Sequence, residues 1–384
     1  IILVAVMSSS SGPTKGAGPT PGGKRLTVSA AGKGEYKSVR EALLKAAAGD
    51  RIAVLDETLE EMLDLQPLAG KVPRDLTIEP DSSLGKRVVW RPPPPQREGQ
   101  QSAQLVSLAH CEGLTIKGFT FQGVHNSHQI QDLIIVFGKC PGLKLEDLHL
   151  QQFRRSAVKL MNCSGEASRP IALKRLNVVQ SLAAGEATAL VLEVRGNSTQ
   201  TNMQHILVED SLIEGPYRAG VLVALDANCN LGGVDFLRNR FFRCTDGVWY
   251  RRPTGKPYPP VAMTFDSNTW FGMDRAFHFE TMPLEVSASK LTFKNNLFVQ
   301  VKTMAQVGDF KAGPVFNVEA GNFRDASSVE GNLPLKAAAG DCGTLVLDPN
   351  ASGTDRVNLL RYPRTSPLHA AGINGGPVGA PPTE

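Results

Sequence analysis

A short pattern recurs through the middle of the chain at a nearly constant interval, and it constrains the fold more than any other feature. The pattern is apolar, any, apolar, any, polar or small, then aromatic or apolar. Its third position is held by Ile116, Leu145, Leu173, Val208, Phe236, Phe265 and Phe293, at spacings of 29, 28, 35, 28, 29 and 28 residues. A more distant copy, LTIEP, begins at Leu76. Such self-similarity is typical of stacked repeats.

A second strand-like run lies between neighbouring anchors. These runs begin at Leu105, Leu133, Ala157, Ala189, Gly220, Gly247, Ala276 and Val315. Each alternates between apolar and other residues, as a strand with one buried face does. The runs are too short and too rich in β-branched and aromatic residues for helical repeats, and turn residues separate them. We therefore predict an all-β parallel β-helix, a single-stranded solenoid.

The open ends of a solenoid need covers. Residues 35–48, EYKSVREALLKAAA, place Tyr36, Val39 and Leu43 on one face, and Gly49 follows. This spacing predicts an N-terminal amphipathic capping helix that ends at the glycine.

The composition excludes some classes of protein. Lys plus Arg total 41 and Asp plus Glu total 37, a net charge of +4. This balance, without a basic block, argues against a nucleic-acid partner. No run of about 18 apolar residues is present, so we expect no complete transmembrane helix.

The chain divides into four segments. Residues 1–7, IILVAVM, form an apolar stub that we interpret as a truncated membrane or export segment; a frayed end or an edge strand is the alternative. Residues 8–25 form a Ser/Gly/Pro linker, residues 26–380 the β-helix domain and residues 381–384 a tail. The Gly/Pro-rich end, GINGGPVGAPPTE, predicts weak order. We expect an extracytoplasmic monomer that the N-terminus can tether to a membrane.

Four cysteines, Cys111, Cys140, Cys163 and Cys229, each follow a strand run directly. They predict a column of small, buried side chains at one turn of successive repeats. Disulfides remain an alternative, because stacked Cα atoms about 4.8 Å apart can be bridged. The chain contains no CxxC pair, so the metal signal is weak.

Two segments carry a family resemblance. GKGEYKSVREALLKAAAGDRIAVLDETLEE, from Gly32, and SPLHAAGINGGPVGA, from Ser366, resemble the start and the closure of the pectate-lyase-like superfamily of right-handed parallel β-helices. The resemblance covers roughly residues 26–380. It implies a right-handed coil and leaves function open among polysaccharide lyases, glycoside hydrolases, esterases, adhesins and binding domains. Such domains also resemble ectodomains of membrane-anchored bacterial proteins, including serine/threonine kinases.

Catalysis of sugar cleavage needs paired carboxylates, or a base with a cation that is often calcium. The motifs of polygalacturonases and classical pectate lyases are absent. If Leu190, Leu192 and Val194 point inward, alternation turns other side chains outward. Those side chains are Lys159, Glu193, Arg195, Asp226, Trp249, Arg251, His278, Glu280 and Glu319.

From this set we select candidates for two roles. A substrate-binding groove with an aromatic platform would use Glu193, Arg195, Asp226, Trp249, Arg251 and Glu280. The catalytic candidates are Arg251, His278 and Glu280, with Glu193 and Asp226 as further carboxylates. A solvated face with cross-strand ion pairs is the competing interpretation. The functional hypotheses are recognition of a polysaccharide, a divergent lyase or hydrolase, and a structural spacer. We expect no cofactor, with calcium possible.

Two further groups of polar residues have simpler interpretations. His125 and His128 could bind a metal with Asp132, although polar loop residues are the commoner case. Asn239, Asn268 and the two asparagines of KNNLF resemble turn or ladder asparagines that satisfy backbone groups.

Overall fold

The chain winds into a solenoid of about 10 turns in which each coil contributes strands to three parallel sheets. The computed structural model describes residues 23–179, 181–196, 202–256, 258–342, 345, 358–363 and 365–381. The predicted stub at 1–7 and most of the linker lie outside these residues. No helix in the described ranges is long and apolar enough to cross a membrane.

Each sheet stacks equivalent strands of successive coils. The first sheet contains β1 (Arg25–Val28), β2 (Arg51–Val54), β5 (Thr77–Pro80), β8 (Thr115–Lys117), β12 (Lys144–Glu146), β15 (Ile171–Lys174), β18 (Asn202–Glu209), β20 (Asn230–Leu237), β22 (Val261–Asp266), β24 (Lys290–Lys294) and β26 (Phe316–Val318). The second sheet contains β3 (Thr58–Glu60), β6 (Val88–Arg91), β9 (Phe119–Gln122), β13 (His149–Gln151), β16 (Asn177–Val178), the first parts of β19 (Leu212–Leu225), β21 (Arg240–Tyr250), β23 (Thr269–Phe279) and β25 (Leu297–Val307), then β27 (Phe323–Arg324) and β28 (Ala338–Ala339). The third sheet contains β4 (Leu63–Asp64), β7 (Gln101–Ala109), β11 (His128–Lys139), β14 (Ser156–Ser164), β17 (Thr188–Val194) and the second parts of β19, β21, β23 and β25.

Smaller elements connect these strands. Strand β10 (Val124–His125) pairs with β11 in antiparallel fashion. Four short 3-10 helices span Gln66–Leu68, Ser82–Leu84, Pro367–His369 and Ile373–Gly375.

The repeat anchors form one unbroken column on the inner side of the first sheet. Ile116, Leu145, Leu173, Val208, Phe236, Phe265 and Phe293 are paired in register from coil to coil, and all are fully buried. The last three stack, with ring centroids 5.1 Å apart between Phe236 and Phe265 and 5.5 Å between Phe265 and Phe293. The predicted right-handed parallel β-helix is therefore confirmed.

A single left-handed residue turns the chain from the first sheet to the second. Arg238, Ser267 and Asn295 occupy this corner with φ of 54°, 55° and 53°. A fully buried asparagine follows each of them: Asn239, Asn268 and Asn296.

These asparagines form a hydrogen-bonded ladder, as the sequence predicts. The backbone N–H of Asn239 donates to Oδ1 of Asn268 at 2.9 Å, and the N–H of Asn268 donates to Oδ1 of Asn296 at 3.2 Å. Each Nδ2 also donates to a backbone carbonyl of the preceding coil, as Asn268 does to Phe236 O at 2.9 Å. Asn322 extends the ladder, since its Oδ1 accepts the N–H of Asn296 at 3.0 Å. The ladder thus satisfies backbone groups that the corner leaves without strand partners.

The outer side of the second sheet changes character along the solenoid. Early coils present polar residues such as Thr120, His149 and Asn177, whereas later coils present Leu212, Phe242, Phe271, Leu297 and Val299. The C-terminal segment 358–381 covers this apolar part, where Leu359, Leu360, Tyr362, Leu368 and Val378 are buried against it. Weak order is predicted only for GINGGPVGAPPTE; within it, Val378 and Ala380 are fully buried, so the prediction is wrong at these two positions.

The outer side of the first sheet carries charges of alternating sign. One outward column runs Glu79, Lys117, Glu146, Lys174 and Glu209 on successive coils. Lys117 Nζ lies 2.9 Å from Glu79 Oε2, and Lys174 Nζ lies 2.8 Å from Glu209 Oε2. Opposite charges on neighbouring strands favour this register, although exposed pairs contribute little energy.

Two sequence predictions need correction. The N-terminal helix α1 spans only Val39–Leu43, so a capping helix over 35–48 is not confirmed; Val39, Ala42 and Leu43 nevertheless face the core. The run at Val315 belongs to β26 in the first sheet, not to the third. The third-sheet strand that precedes β26 is the second part of β25, which continues from the second sheet into the third without a break.

The asparagine ladder generates the first prediction. Asn268→Ala removes the acceptor for the Asn239 N–H and the donor to Phe236 O, both fully buried. We expect the free energy of unfolding to fall by about 2–4 kcal/mol, since unsatisfied buried polar groups cost about 1–3 kcal/mol each. Denaturant unfolding measures this, with Thr264→Ala on the outer side of the first sheet as control. A loss no larger than that of the control would contradict the ladder's role.

Candidate functional site

Two outward columns cross the third sheet. In one, Lys159, Val191, Leu222, Trp249, His278 and Gln306 are aligned on successive strands. In the other, Met161 is aligned with Glu193 and Ala224, and Arg251 and Glu280 follow at the strand ends. Leu190, Leu192 and Val194 belong to the core, so the inward assignment is confirmed.

Trp249 on β21 forms the centre of one cluster, named the upper cluster, with side chains of β19 and β23 on either side. Its indole Nε1 donates to Glu280 Oε1 at 2.8 Å. The guanidinium carbon of Arg218, on the preceding strand, lies 4.9 Å from the ring centroid. His278, on the following strand, stacks at 6.4 Å between centroids and 5° between planes.

Both faces of the Trp249 ring have neighbours within the protein. Arg218 and His278 approach Trp249 from strands on opposite sides of β21, so both ring faces are occupied within the protein. The indole instead holds the guanidinium of Arg218 by a cation–π contact. Trp249 therefore holds two charged or polar neighbours, and its contact with a ligand stays a prediction.

A buried carboxylate supports the cluster from beneath. Asp246 is fully buried and accepts hydrogen bonds from Arg275 Nε at 2.5 Å and Arg275 Nη2 at 3.2 Å. His278 Nδ1 lies 3.3 Å from Asp246 Oδ2, the same oxygen that accepts from Arg275 Nη2. Because a carboxylate accepts, the proton of a neutral His278 lies on Nδ1, which leaves Nε2 as the basic nitrogen.

A lower cluster surrounds Glu193 on β17. Its carboxylate, only 4% exposed as a residue, pairs with Lys159 on β14 and with Arg195. Burial raises the pKa of Glu193, but hydrogen bonds and charge from Lys159 and Arg195 lower it more, so the net pKa lies below the ordinary value. Glu193 is thus ionised, and Lys159 and Arg195 neutralise its charge, as the solvated-face interpretation predicts.

The remaining predicted site residues, Arg251, Asp226 and Glu319, do not form one cluster. Arg251 is exposed and has no ion-pair partner among the described residues. Asp226 lies beyond the end of β19, where it accepts from Thr254 Oγ1 at 3.0 Å and Gly196 N at 3.2 Å. Glu319 follows β26 of the first sheet and accepts from Asn317 Nδ2, so it does not join this face.

The suggested histidine metal site does not assemble. The Nδ1 atoms of His125 and His128 donate to the carbonyls of Pro92 and Pro93, at 3.0 and 2.9 Å, and fasten the proline-rich loop. Asp132 instead pairs with Arg155. Across the described ranges, no three His, Cys, Asp or Glu side chains form a group able to hold a metal ion.

Three residues of the site escaped the sequence analysis: Arg218, Asp246 and Arg275. Ala219, Asp246 and Arg275 are aligned on neighbouring strands, each just before the small residue that opens a third-sheet run. Aligning the runs GVLV, GVWY and AFHF would have placed Asp246 beside Arg275. Arg218 carried no comparable signal.

Comparisons with known proteins concern the overall shape. No model of a protein family matches the chain, and a search of curated proteins finds no match. Among solved structures, the chain is similar to pectate lyase Pel9A, with 12% identity, a TM-score of 0.48 and coverage of 94% of this chain and 95% of that one.

Two further structures show weaker similarity. They are an endo-xylogalacturonan hydrolase from Aspergillus tubingensis (11% identity, TM-score 0.37, 82% of this chain and 92% of that one) and the alginate lyase AlyGC (10%, 0.25, 92% and 57%).

The lower cluster generates a prediction about pH. Because the pKa of Glu193 is depressed in the folded state, its ion pairs stabilise the fold above the unfolded pKa of about 4.3 and lose this effect as pH falls through the folded pKa. Glu193→Gln should therefore lower stability at pH 7 by about 2 kcal/mol, since Lys159 loses its partner in a mostly buried position.

The check is denaturant unfolding of both proteins from pH 7 to pH 3. The difference between them should shrink as pH falls below about 4. A difference that stays constant over this range would contradict the proposed ionisation.

Proposed function

We propose that the outer face of the third sheet around Trp249 recognises an acidic polysaccharide. The observation that carries this proposal is the state of two arginines, Arg218 and Arg251. Both are exposed, Arg218 lies over the Trp249 ring, Arg251 follows Trp249 by two residues, and neither has a carboxylate partner in the part of the chain that the structure describes. Neighbouring arginines differ, because Arg155, Arg195 and Arg275 are paired with Asp132, Glu193 and Asp246.

Arginines without a carboxylate partner offer strong, directional donors to an anionic group. A guanidinium matches the geometry of a carboxylate or sulfate with two parallel hydrogen bonds. Arg218 is held over the indole, so less side-chain entropy is lost on binding than for a free chain. Between the upper and lower clusters, Leu222 and Ala224 of β19 form an apolar floor of the kind that sugar rings can pack against.

The location belongs to the same proposal. An acidic polysaccharide is a component of cell surfaces and matrices, so the domain would act outside the cytoplasm. The sequence of residues 1–25, an apolar stub followed by a linker, suits a tethered or exported domain. The ligand surface is complete within one chain, which suits a monomer.

The test compares matched arginine variants of the full chain. With an oligogalacturonate as probe in calorimetry, Arg218→Gln and Arg251→Gln should each weaken binding about tenfold, the value of one charge-assisted contact. Arg243→Gln is the matched control, because Arg243 also lies over an aromatic ring, 4.7 Å from Phe242, but at the corner before the third sheet.

Binding should weaken with added salt, and a neutral gluco-oligosaccharide of equal length should bind less well. The proposal fails if the wild type does not bind the oligogalacturonate, or if Arg243→Gln weakens binding as much as the other two.

A second function has its own support in the contact between Asp246 and His278. With Nδ1 directed at the carboxylate, Nε2 of His278 can accept a proton, and it has no hydrogen-bond partner among the described residues. Beside a bound uronate, this nitrogen would take the C5 proton, the C5–H electron pair would form a C4–C5 double bond, and the C4–O bond would break. The leaving sugar oxygen takes a proton from solvent, while Arg218 or Arg251 neutralises the carboxylate. The domain would then be a polysaccharide lyase, with Arg251 as cation and Glu280 fixing the indole.

The activity is checked by the ultraviolet absorbance of unsaturated uronate products, with and without calcium. If His278 is the base, His278→Ala should abolish product formation and retain oligogalacturonate binding. Asp246→Asn should lower the rate and retain oligogalacturonate binding, because the imidazole loses its orienting carboxylate. Binding by the wild type without any product would restrict the protein to recognition.

A further inference from the structure

Three cysteines lie on successive coils at the end of the third sheet, and none takes part in the proposed glycan site. Cys111 follows β7, Cys140 follows β11, and Cys163 lies near the end of β14. All three are fully buried free thiols. Burial raises the pKa of each, that of Cys111 to about 12.

Cys140 makes different contacts with the two neighbouring cysteines, Cys111 and Cys163. The backbone N–H of Cys111 donates to the sulfur of Cys140 at 3.4 Å, so this sulfur lies against the main chain of Cys111. On the other side, the N–H of Cys140 donates to Ser164 O at 2.8 Å, and Cys163 is aligned with Gly138. Cys163 is therefore two positions out of register with Cys140.

We propose that Cys111 and Cys140 form a disulfide when the chain folds in an oxidising environment, and that Cys163 stays a thiol. Neighbouring coils lie about 4.8 Å apart, which falls within the Cα separation of 4.4–6.8 Å that a disulfide accepts. The two thiols lose two electrons and two protons to one oxidised glutathione, which becomes two reduced glutathione molecules. One sulfur–sulfur bond forms in the protein and one breaks in glutathione.

The cross-link would join the coils of β7 and β11, which precede the coils of the glycan face, and would close a loop of one coil. The disulfide forms during folding, because in the native state the buried thiols are almost fully protonated and do not attack an external disulfide. The proposal is independent of the glycan function and concerns a stabilising modification of the solenoid.

The test refolds the full chain in a mixture of reduced and oxidised glutathione. Remaining thiols are alkylated in denaturant, and the protein is digested without reduction and analysed by mass spectrometry. We expect a cross-linked peptide pair that contains Cys111 and Cys140, and an alkylated Cys163. Alkylation of all three cysteines, or a link between Cys140 and Cys163, overturns the proposal.

Variants supply a second measurement. Oxidation should raise the Tm of the wild type and of Cys163→Ser by about 5–10 °C, and should leave the Tm of Cys140→Ser unchanged. Each variant is compared with its own reduced form, so any cost of the substitution cancels. An equal rise in Cys140→Ser would show that the effect arises elsewhere.

Discussion

The ladder of buried asparagines at the corner between the first and second sheets fixes the register on which the other features depend. A parallel solenoid has a recurring problem, because each corner interrupts the strand hydrogen bonds and leaves buried backbone groups. Here one left-handed residue makes the turn, and the asparagine after it bonds to the coil above and the coil below. In the coils from Asn239 to Asn322, this corner fixes which side chains face inward and outward, since one slipped residue would exchange the two sides.

The three outer faces then serve different purposes on one shared core. The first face carries alternating charges that match neighbouring coils, and the second is covered in its later part by the end of the chain. The third face combines an internally neutralised cluster at Glu193 with arginines that lack carboxylate partners in the described ranges at Trp249. The charges at Glu193 are paired within the protein, whereas the arginines at Trp249 are open to a ligand. This difference, and not the number of charges, distinguishes the proposed ligand surface.

The sequence predicts the core far better than the site. Anchors such as Phe265 repeat at coil spacing because they occupy equivalent buried positions, so period alone identifies them. The assignment of Val315 failed because Met304 of β25 stands where Gly247 and Ala276 open the third-sheet runs of earlier coils, so no small residue marks this run. Arg218 and Asp246 escaped notice because their roles depend on neighbours on other strands. Burial of Val378 could not be predicted from its own segment, because the apolar surface that covers it is formed by residues far earlier in the chain.

That covered surface affects the order of folding. Arg240 Nη1 donates to Leu359 O across 119 residues, and Ala380 N donates to Thr269 Oγ1 across 111 residues. During synthesis, coils pair with the coil just made, which is a local process that can follow the ribosome. The apolar outer face from Leu212 onward, however, stays open until residues 358–363 and 365–381 emerge. The contacts across 119 and 111 residues therefore close only after these residues emerge, and until then the apolar face is exposed to aggregation.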